Sequence, residues 1–259
     1  MTRVILRNKP LVEAIFELHW ELEQREGGLL VDPHTRLLVG RLYDRLEDEY
    51  PFHEELPLAV MPDEIAPYAV RHRFRRAENQ WPLVQLGPGV VTLNDTVDYV
   101  WETFEKRAKR LVDLLFATYP SPEKLAVDYL LLRYIDAVDF DFERENVYEF
   151  LRDKLKTRVE LLPSLFIQTG VHDVPLHLDL RFAFPVATPR GEMNLRFARG
   201  ERGGSEALVW EITLVGRDRY DADTKDGITE WLEQAHALTD DWFFKLIEGD
   251  LKVRFDPCP

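Results

Sequence analysis

Four groups of side chains in this sequence have the types and spacing to do chemistry. From Glu13 to Leu22, residues Glu13, Glu17, His19 and Glu21 stand an even number of positions apart. In an extended strand such residues share one face. Arg71, Arg73 and Arg75 repeat this in "AVRHRFRR", and His177, Asp179 and Arg181 in "PLHLDLRFAF". Turned to solvent, these faces are wetted surface with weak cross-strand ion pairs. Turned inward by a curling sheet, they would line a polar cavity. Glu17, Glu21 and Asp179 could then hold a divalent metal, and Arg71, Arg73, Arg75 and Arg181 a phosphate chain. The fourth group is His236 with Asp240 four residues on, which could serve as a general base and its orienter. No serine or cysteine nucleophile is placed beside it, so a histidine bonded to an acid at the edge of a buried stripe is the plainer reading.

Three further stretches invite a functional reading. His172-Asp173 with His177 puts two histidines in a short span, but a metal site needs a third and fourth ligand, so these read as turn and strand-face residues. "RHRFRR" is the strongly basic strand, and arginines with Phe74 between them can bind RNA. The same strand, Arg71 to Arg76, could equally pair with the acidic Asp136, Asp139 and Asp141. Gly87-Pro88-Gly89 has the look of a phosphate loop, but such a loop opens a helix, and here the strand-like "VVTLN" follows with no Lys-Ser or Lys-Thr. A tight hairpin turn is therefore expected. The inward-facing alternative is similar in plan to the triphosphate-tunnel enzymes, which alternate Glu, Arg and Lys inside an antiparallel barrel. Where their signature reads Glu-x-Glu-x-Lys, this chain has Glu17, His19 and Glu21.

The elements that must position these residues are mostly strands. Period-two alternation predicts strands over 14–22, 175–184 and 207–216, with a longer apolar strand over 127–142. Shorter ones are predicted in 69–76, 82–86, 90–94, 161–168 and 192–198, about nine in all and joined mostly by hairpin-length gaps. Pro51 to Pro67 reads as a long surface loop, and Ala198 to Glu206 as a hairpin tip. Asp32-Pro33 should start one helix, with Leu37, Leu38, Leu42 and Leu46 as its stripe. Asp95 or Thr96 should cap a second, with Val100, Phe104, Ala108, Leu111 and Leu115 inward. A short helix is expected near Asn146 to Leu155. A long one should run from Lys225 to Gly249, burying Ile228, Trp231, Leu232, Ala235, Leu238, Trp242 and Leu246. The order predicts an α+β fold: a largely antiparallel, curved sheet with a split β-α-β-like first half and a long C-terminal helix packed on it. The expected organisation is one compound domain over 1–259, with halves 1–141 and 142–259 as the alternative division.

Composition bounds the function class. The chain has 259 residues, 45% hydrophobic and 31% charged, an ordinary globular balance. Its formal net charge of −14 disfavours diffuse binding to nucleic acid or an anionic membrane. The single cysteine, Cys258, precludes an internal disulfide and a Cys-based zinc site and fits a reducing cytoplasm. The first 20 residues lack the apolar core of a signal peptide, and no stretch approaches the roughly 18 apolar residues of a membrane span.

"NKPLVEAIFELHW", "PLVQLGPGVVTLND" followed by Tyr99 and Trp101, and "AHALTDDWFFKLIEGDLKVRF" occur here in this order. Together they resemble a sporadically distributed family of bacterial proteins of similar length with no assigned activity. The resemblance spans nearly the whole chain and carries over no catalytic residues. What it implies is an accessory component, of the kind found in phage-defence or toxin-immunity modules. The expected function is thus a non-catalytic cytoplasmic interaction protein without a cofactor, with a protein partner or self-association. The aromatic cluster Trp242, Phe243 and Phe244, which covers more than one helix face, is its expected docking surface.

Overall fold

A computed structural model describes residues 6–62, 64–96 and 98–255 of the chain. In chain order the elements are β1 (Leu11–Trp20), β2 (Glu23–Gln24), β3 (Leu30–Val31), α1 (Thr35–Leu46), β4 (Phe52–Glu55), β5 (His72–Arg75), β6 (Leu83–Gly87) and β7 (Val90–Asp95). They continue with α2 (Trp101–Thr118), β8 (Val127–Asp139), α3 (Val147–Lys154), β9 (Asp179–Ala187), β10 (Arg190–Arg202), β11 (Ser205–Gly216), α4 (Asp226–Leu246) and α5 (Asp250–Arg254).

Nine of the strands form one sheet in the order β4-β5-β6-β7-β1-β8-β11-β10-β9, with β4 and β9 at its edges. Every neighbouring pair is antiparallel. This is the expected α+β class. β7 and β8 flank β1 and are both antiparallel to it, so β7-α2-β8 runs parallel around an inserted strand: the split β-α-β unit. β9, β10 and β11 form the meander of the second half.

Alternation sets the layers. On β1, Ala14, Phe16, Leu18 and Trp20 are fully buried, while Glu13, Ile15, Glu17 and His19 are half-buried. The first set faces the helices. α4 packs on β8 and β11, α2 on β7, and α1 on α2 and β5. Their stripes (Leu38, Leu42 and Leu46; Phe104, Ala108 and Leu115; Ile228, Trp231 and Ala235) join the strand residues in one continuous core. Burying a side chain of this size contributes roughly 1.5–3 kcal/mol, so the apolar face decides which way each strand turns. The polar faces point away from the helix layer.

Several boundaries differ from expectation for identifiable reasons. Residues 161–168 form no strand; Pro163 begins a single 3-10 turn there, since proline cannot donate to a ladder. The ninth place in the sheet is taken by β4, inside the stretch read as a loop. α1 begins at Thr35, and the buried Asp32 carboxylate accepts from His34 N just ahead of it as well as from Trp20 Nε1 and Tyr119 OH. α2 begins at Trp101, five residues after Thr96. Asp95 instead ends β7 and pairs with Arg107. α4 stops at Leu246, and Gly249, with φ of 104°, separates it from α5. Asn146 caps α3 as its type suggests, accepting from Tyr148 N and Glu149 N. Gly87-Pro88-Gly89 is the β6–β7 hairpin, with Gly87 paired to Val90. Cys258 lies outside the described residues.

Candidate functional site

The C-terminal half of α4 divides its aromatic side chains between two neighbours. Trp242 meets Phe184 of β9 edge-on, ring centroids 5.6 Å apart. Phe243 and Phe244, themselves edge-to-face at 5.2 Å, line a cavity of about 120 Å³. All three are half-buried. The cavity is walled by Lys9, Pro10 and Leu11 where the chain enters β1, by Tyr99, Trp101 and Glu102 at the start of α2, by Tyr134 and Asp136 of β8, and by His236, Thr239 and Asp240 of α4. β8 explains why polar groups stand here. Leu130, Leu132, Tyr134 and Asp136 alternate on its helix-facing side, and the last two replace leucine-like residues beside α2 and α4.

A chain of polar contacts crosses the cavity wall. Tyr99 OH and Tyr134 OH lie 2.8 Å apart, and Tyr134 OH lies 3.0 Å from His236 Nδ1. The His236 ring stacks on Trp101 with centroids 3.7 Å apart. Lys9 Nζ donates to the Tyr99 carbonyl oxygen at 2.6 Å. Asp136 differs from these groups. It is 2% exposed, and its Oδ2 has no hydrogen-bond partner among the described residues. Burial pushes its carboxyl up to about 8, with Arg202 pulling the other way. The arrangement supplies an aromatic box, a hydroxyl–imidazole chain and one unsatisfied carboxyl. Among the described residues that line the cavity there is no serine or cysteine.

The other residues singled out in the sequence lie elsewhere. On the sheet's polar face, Glu13 accepts from Asn94 Nδ2 at 2.9 Å. His19 lies 2.6 Å from Glu17, its ring between Tyr68 and Tyr129 at 5.0 and 4.6 Å. Glu21 takes Arg219. Asp179 takes both Arg181 and Arg196, at 2.8 and 2.9 Å, and these guanidinium groups hold its carboxyl well below the usual range. Arg71 donates to the Met61 and Pro62 carbonyl oxygens, anchoring the proline-rich loop. Arg73 binds Gln85 and Glu54, and Arg75 binds Glu54 and Gln80 O beneath Trp81.

The structure therefore does not assemble the metal or phosphate sites expected of these faces. Glu17 on β1 and Asp179 on β9 are four strands apart, roughly 19 Å at about 4.8 Å per strand. Among the described residues no three His, Cys, Asp or Glu come together as metal ligands. With β4 and β9 as free edges, the sheet encloses no tunnel. β5 is separated from β8 by three strands, so its arginines do not pair with Asp136, Asp139 or Asp141. His172 and His177 are exposed, and Asp173 borders a separate hollow beside α3.

One surface feature escaped the sequence reading. Residues 161–176 expose Leu161, Leu162, Leu165, Ile167, Val171, Val174 and Leu176; Leu162 is 64%, Ile167 63% and Leu176 82% accessible. The stretch leads into the edge strand β9, whose Phe182 and Phe184 are also exposed. Its apolar run signals burial, and that signal produced the mistaken strand.

Fold and site together define an α+β protein with one helix-covered antiparallel sheet and a cavity beside the C-terminal half of α4. Comparison with known protein families, with curated proteins and with solved structures finds no match. The three stretches that carry the resemblance noted above do meet in space. "NKPLVEAIF" supplies Lys9 to Leu11, the second stretch leads to Tyr99 and Trp101, and the tail supplies His236, Asp240, Phe243 and Phe244. No helix among the described residues is long and apolar enough to cross a membrane.

Proposed function

We propose that this chain is a non-catalytic interaction protein that docks a protein partner through residues 161–176 and the adjoining face of β9. The observation that carries this reading is the mismatch between composition and environment. A segment as apolar as a core strand lies on the surface, with seven large apolar side chains exposed. Scattered apolar residues are ordinary on a protein surface, but a concentrated run marks a contact site. The partner would offer an apolar groove, and against a chain of net charge −14 its rim would be basic. An accessory role in a defence or immunity module is compatible with such a protein, and the resemblance is its support.

The test uses the full chain, coexpressed with the products of neighbouring genes, and native mass spectrometry of the captured complex. Wild type should bring down a stoichiometric partner. Leu162→Glu with Ile167→Glu should weaken capture at least about tenfold, a loss of ~1.4 kcal/mol, with the melting temperature unchanged. A wild-type chain recovered alone, or a double variant that captures as before, would sink the reading. The phosphate or RNA alternative has less support, because Arg71, Arg73, Arg75 and Arg181 spend their donors within the protein.

A further inference from the structure

We propose that the outer edge of β9 is a self-association surface, on which a second copy of this chain lays its own β9 antiparallel, about a two-fold axis at Leu180. This goes beyond the docking of a foreign protein and stands apart from it, since it uses the edge of the strand and not residues 161–174. β9 ends the sheet and pairs only with β10. The phase of that pairing is fixed where the strand begins. Arg199 N donates to the Leu178 carbonyl oxygen at 3.1 Å, one step back from the pair Asp179↔Ala198. Hydrogen-bonded pairs alternate along an antiparallel ladder, so Leu178, Leu180, Phe182 and Phe184 direct their peptide groups to β10. The N–H and C=O groups of Asp179, Arg181 and Ala183 therefore point outward. All three residues are exposed, and among the described residues no further strand or loop backbone bonds to them. Pro185 has the same outward phase, the place where a ladder tolerates a proline.

A free edge is a template for another strand, and the side chains here name which one. With Leu180 opposite Leu180 of the second copy, Asp179 falls opposite Arg181 of that copy, and Arg181 opposite its Asp179. Two reciprocal ion pairs result on the face away from the helices. Within one chain Asp179 already holds both Arg181 and Arg196, but Arg181 is 71% exposed and can turn across the seam while Arg196 stays. An axis at Arg181 would instead set arginine against arginine. On the helix side, Leu180 meets its own copy and Leu178 meets Phe182, in the pairs where side chains approach most closely. Leu176, 82% accessible where the chain bends into the strand, falls opposite the exposed Phe184. Pro185 falls opposite Pro175, so the ladder stops at the same point at both ends. Between these stops it supplies roughly eight backbone hydrogen bonds, two for each hydrogen-bonded pair. A two-fold contact needs a surface complementary to itself, and this stretch is complementary in charge, in apolar side chains and in its stops. The net charge of −14 is carried elsewhere, because residues 176–184 hold one aspartate and one arginine.

The experiment is sedimentation velocity of the purified full chain, with no other protein present, from about 1 to 100 μM. At the upper end wild type should run at twice its chain mass of 30.4 kDa. Arg181→Asp and Asp179→Arg should each weaken dimerisation at least about fivefold, because each sets like charges opposite one another in both pairs. Arg196 keeps Glu211 in either variant. Mixed together, the two variants should associate as wild type does, since the arginines of one then face the aspartates of the other. Leu162→Glu with Ile167→Glu should leave the dimer intact, so loss of partner docking and loss of the dimer are read separately. A wild-type chain that stays monomeric throughout overturns the proposal. So does a dimer that both charge variants keep, or one that the Leu162 and Ile167 variant loses. Should a charge variant fail to fold, Leu180→Cys in a Cys258→Ser background decides. The two copies of residue 180 would lie about 4.5 Å apart at Cα, within reach of a disulfide. Oxidised glutathione should then yield a covalent dimer from Leu180→Cys and far less from Phe182→Cys, which faces Leu178. Equal linking of the two, or none, overturns the proposal.

Discussion

Two buried aspartates show how far identical side chains can diverge. Asp32 collects three donors: His34 N at 2.9 Å, Trp20 Nε1 at 3.0 Å and Tyr119 OH at 3.1 Å. Removing it would strand those donors in the core. Asp32→Ala should therefore cost about 2–4 kcal/mol in a urea titration, well beyond the effect of an average surface change. Asp136 collects no hydrogen bond at Oδ2, and its raised pKa fixes the sign of a second prediction. Between the ordinary carboxylate value and about 8, the native state holds a proton that the unfolded chain has released. Stability must then fall as pH rises through that window. Asp136→Asn, which cannot ionise, should be close to neutral at pH 5 and stabilising by on the order of 2 kcal/mol at pH 8, after allowing for its own buried amide. Denaturant midpoints at the two pH values decide it; a variant less stable at pH 8 than wild type would refute the assignment. The sequence offered His236, Tyr99, Trp101, Phe243 and Phe244 as noteworthy, and they do share the cavity. It offered Asp136 only as one of three acidic partners for the Arg71 to Arg76 strand, not as a buried carboxyl. Only the register of β8 against β1 and β11 shows that its carboxyl falls on the apolar side.

Among the elements, the β6–β7 hairpin gives the sharpest test of a local reading. Gly89 has φ of 75°, and a Cβ on Gly87 would sit 2.0 Å from the Ala69 carbonyl oxygen. The two glycines thus serve overlapping needs: Gly87 admits a close backbone approach, and Gly89 supplies a turn conformation where a Cβ would also fall 2.7 Å from the Tyr68 ring. Gly87→Ala should destabilise by about 2 kcal/mol or more through displacement of the Ala69–Val70 backbone, and Gly89→Ala by about 1–2 kcal/mol through its left-handed φ. Paired thermal melts of the two variants would check both values, and wild-type stability in Gly87→Ala would mean the approach is not tight. Strands of this kind were legible because half-buried strands write their alternation directly into sequence, as β1, β10 and β11 do. The misreadings have a common cause. Residues 161–168 are apolar without being buried, and β4 is too short and polar to show a pattern, its residues being mostly exposed. The helices start later than Asp32 and Asp95 predict: Asp32 accepts from His34 N ahead of α1 but is also held in the core by Trp20 and Tyr119, and Asp95 ends β7 against Arg107.

At the scale of the molecule, the question is whether 1–141 and 142–259 could stand apart. A cut there falls just after β8, which pairs with β11 along its length from Leu130↔Gly216 to Asp139↔Ala207. Leu130 and Leu132 on one side and Ile212 and Leu214 on the other are all fully buried in the same core. α4 belongs to the second half, yet it covers β8 and touches α2, where Glu233 meets Lys109 at 2.7 Å and Lys225 meets Asp113. The surface ion pairs add little, but the shared apolar layer is another matter. Separating the halves would expose a long sheet edge on β8 and strip the helix cover from the strand next to the sheet's centre. Each exposed core leucine alone forfeits roughly 1.5–3 kcal/mol, and several would be lost together. We therefore expect one calorimetric unfolding transition for the full chain, with calorimetric and van't Hoff enthalpies in agreement. Two resolved transitions would mean that the β8–β11 seam is weak enough to open before either half melts. That outcome would also detach the cavity from its cover, because Asp136 and Tyr134 lie on one side of the seam while His236, Phe243 and Phe244 lie on the other. A ligand bound across the seam should then merge the two transitions, whereas one bound to a single rigid core would only shift the transition upward by mass action.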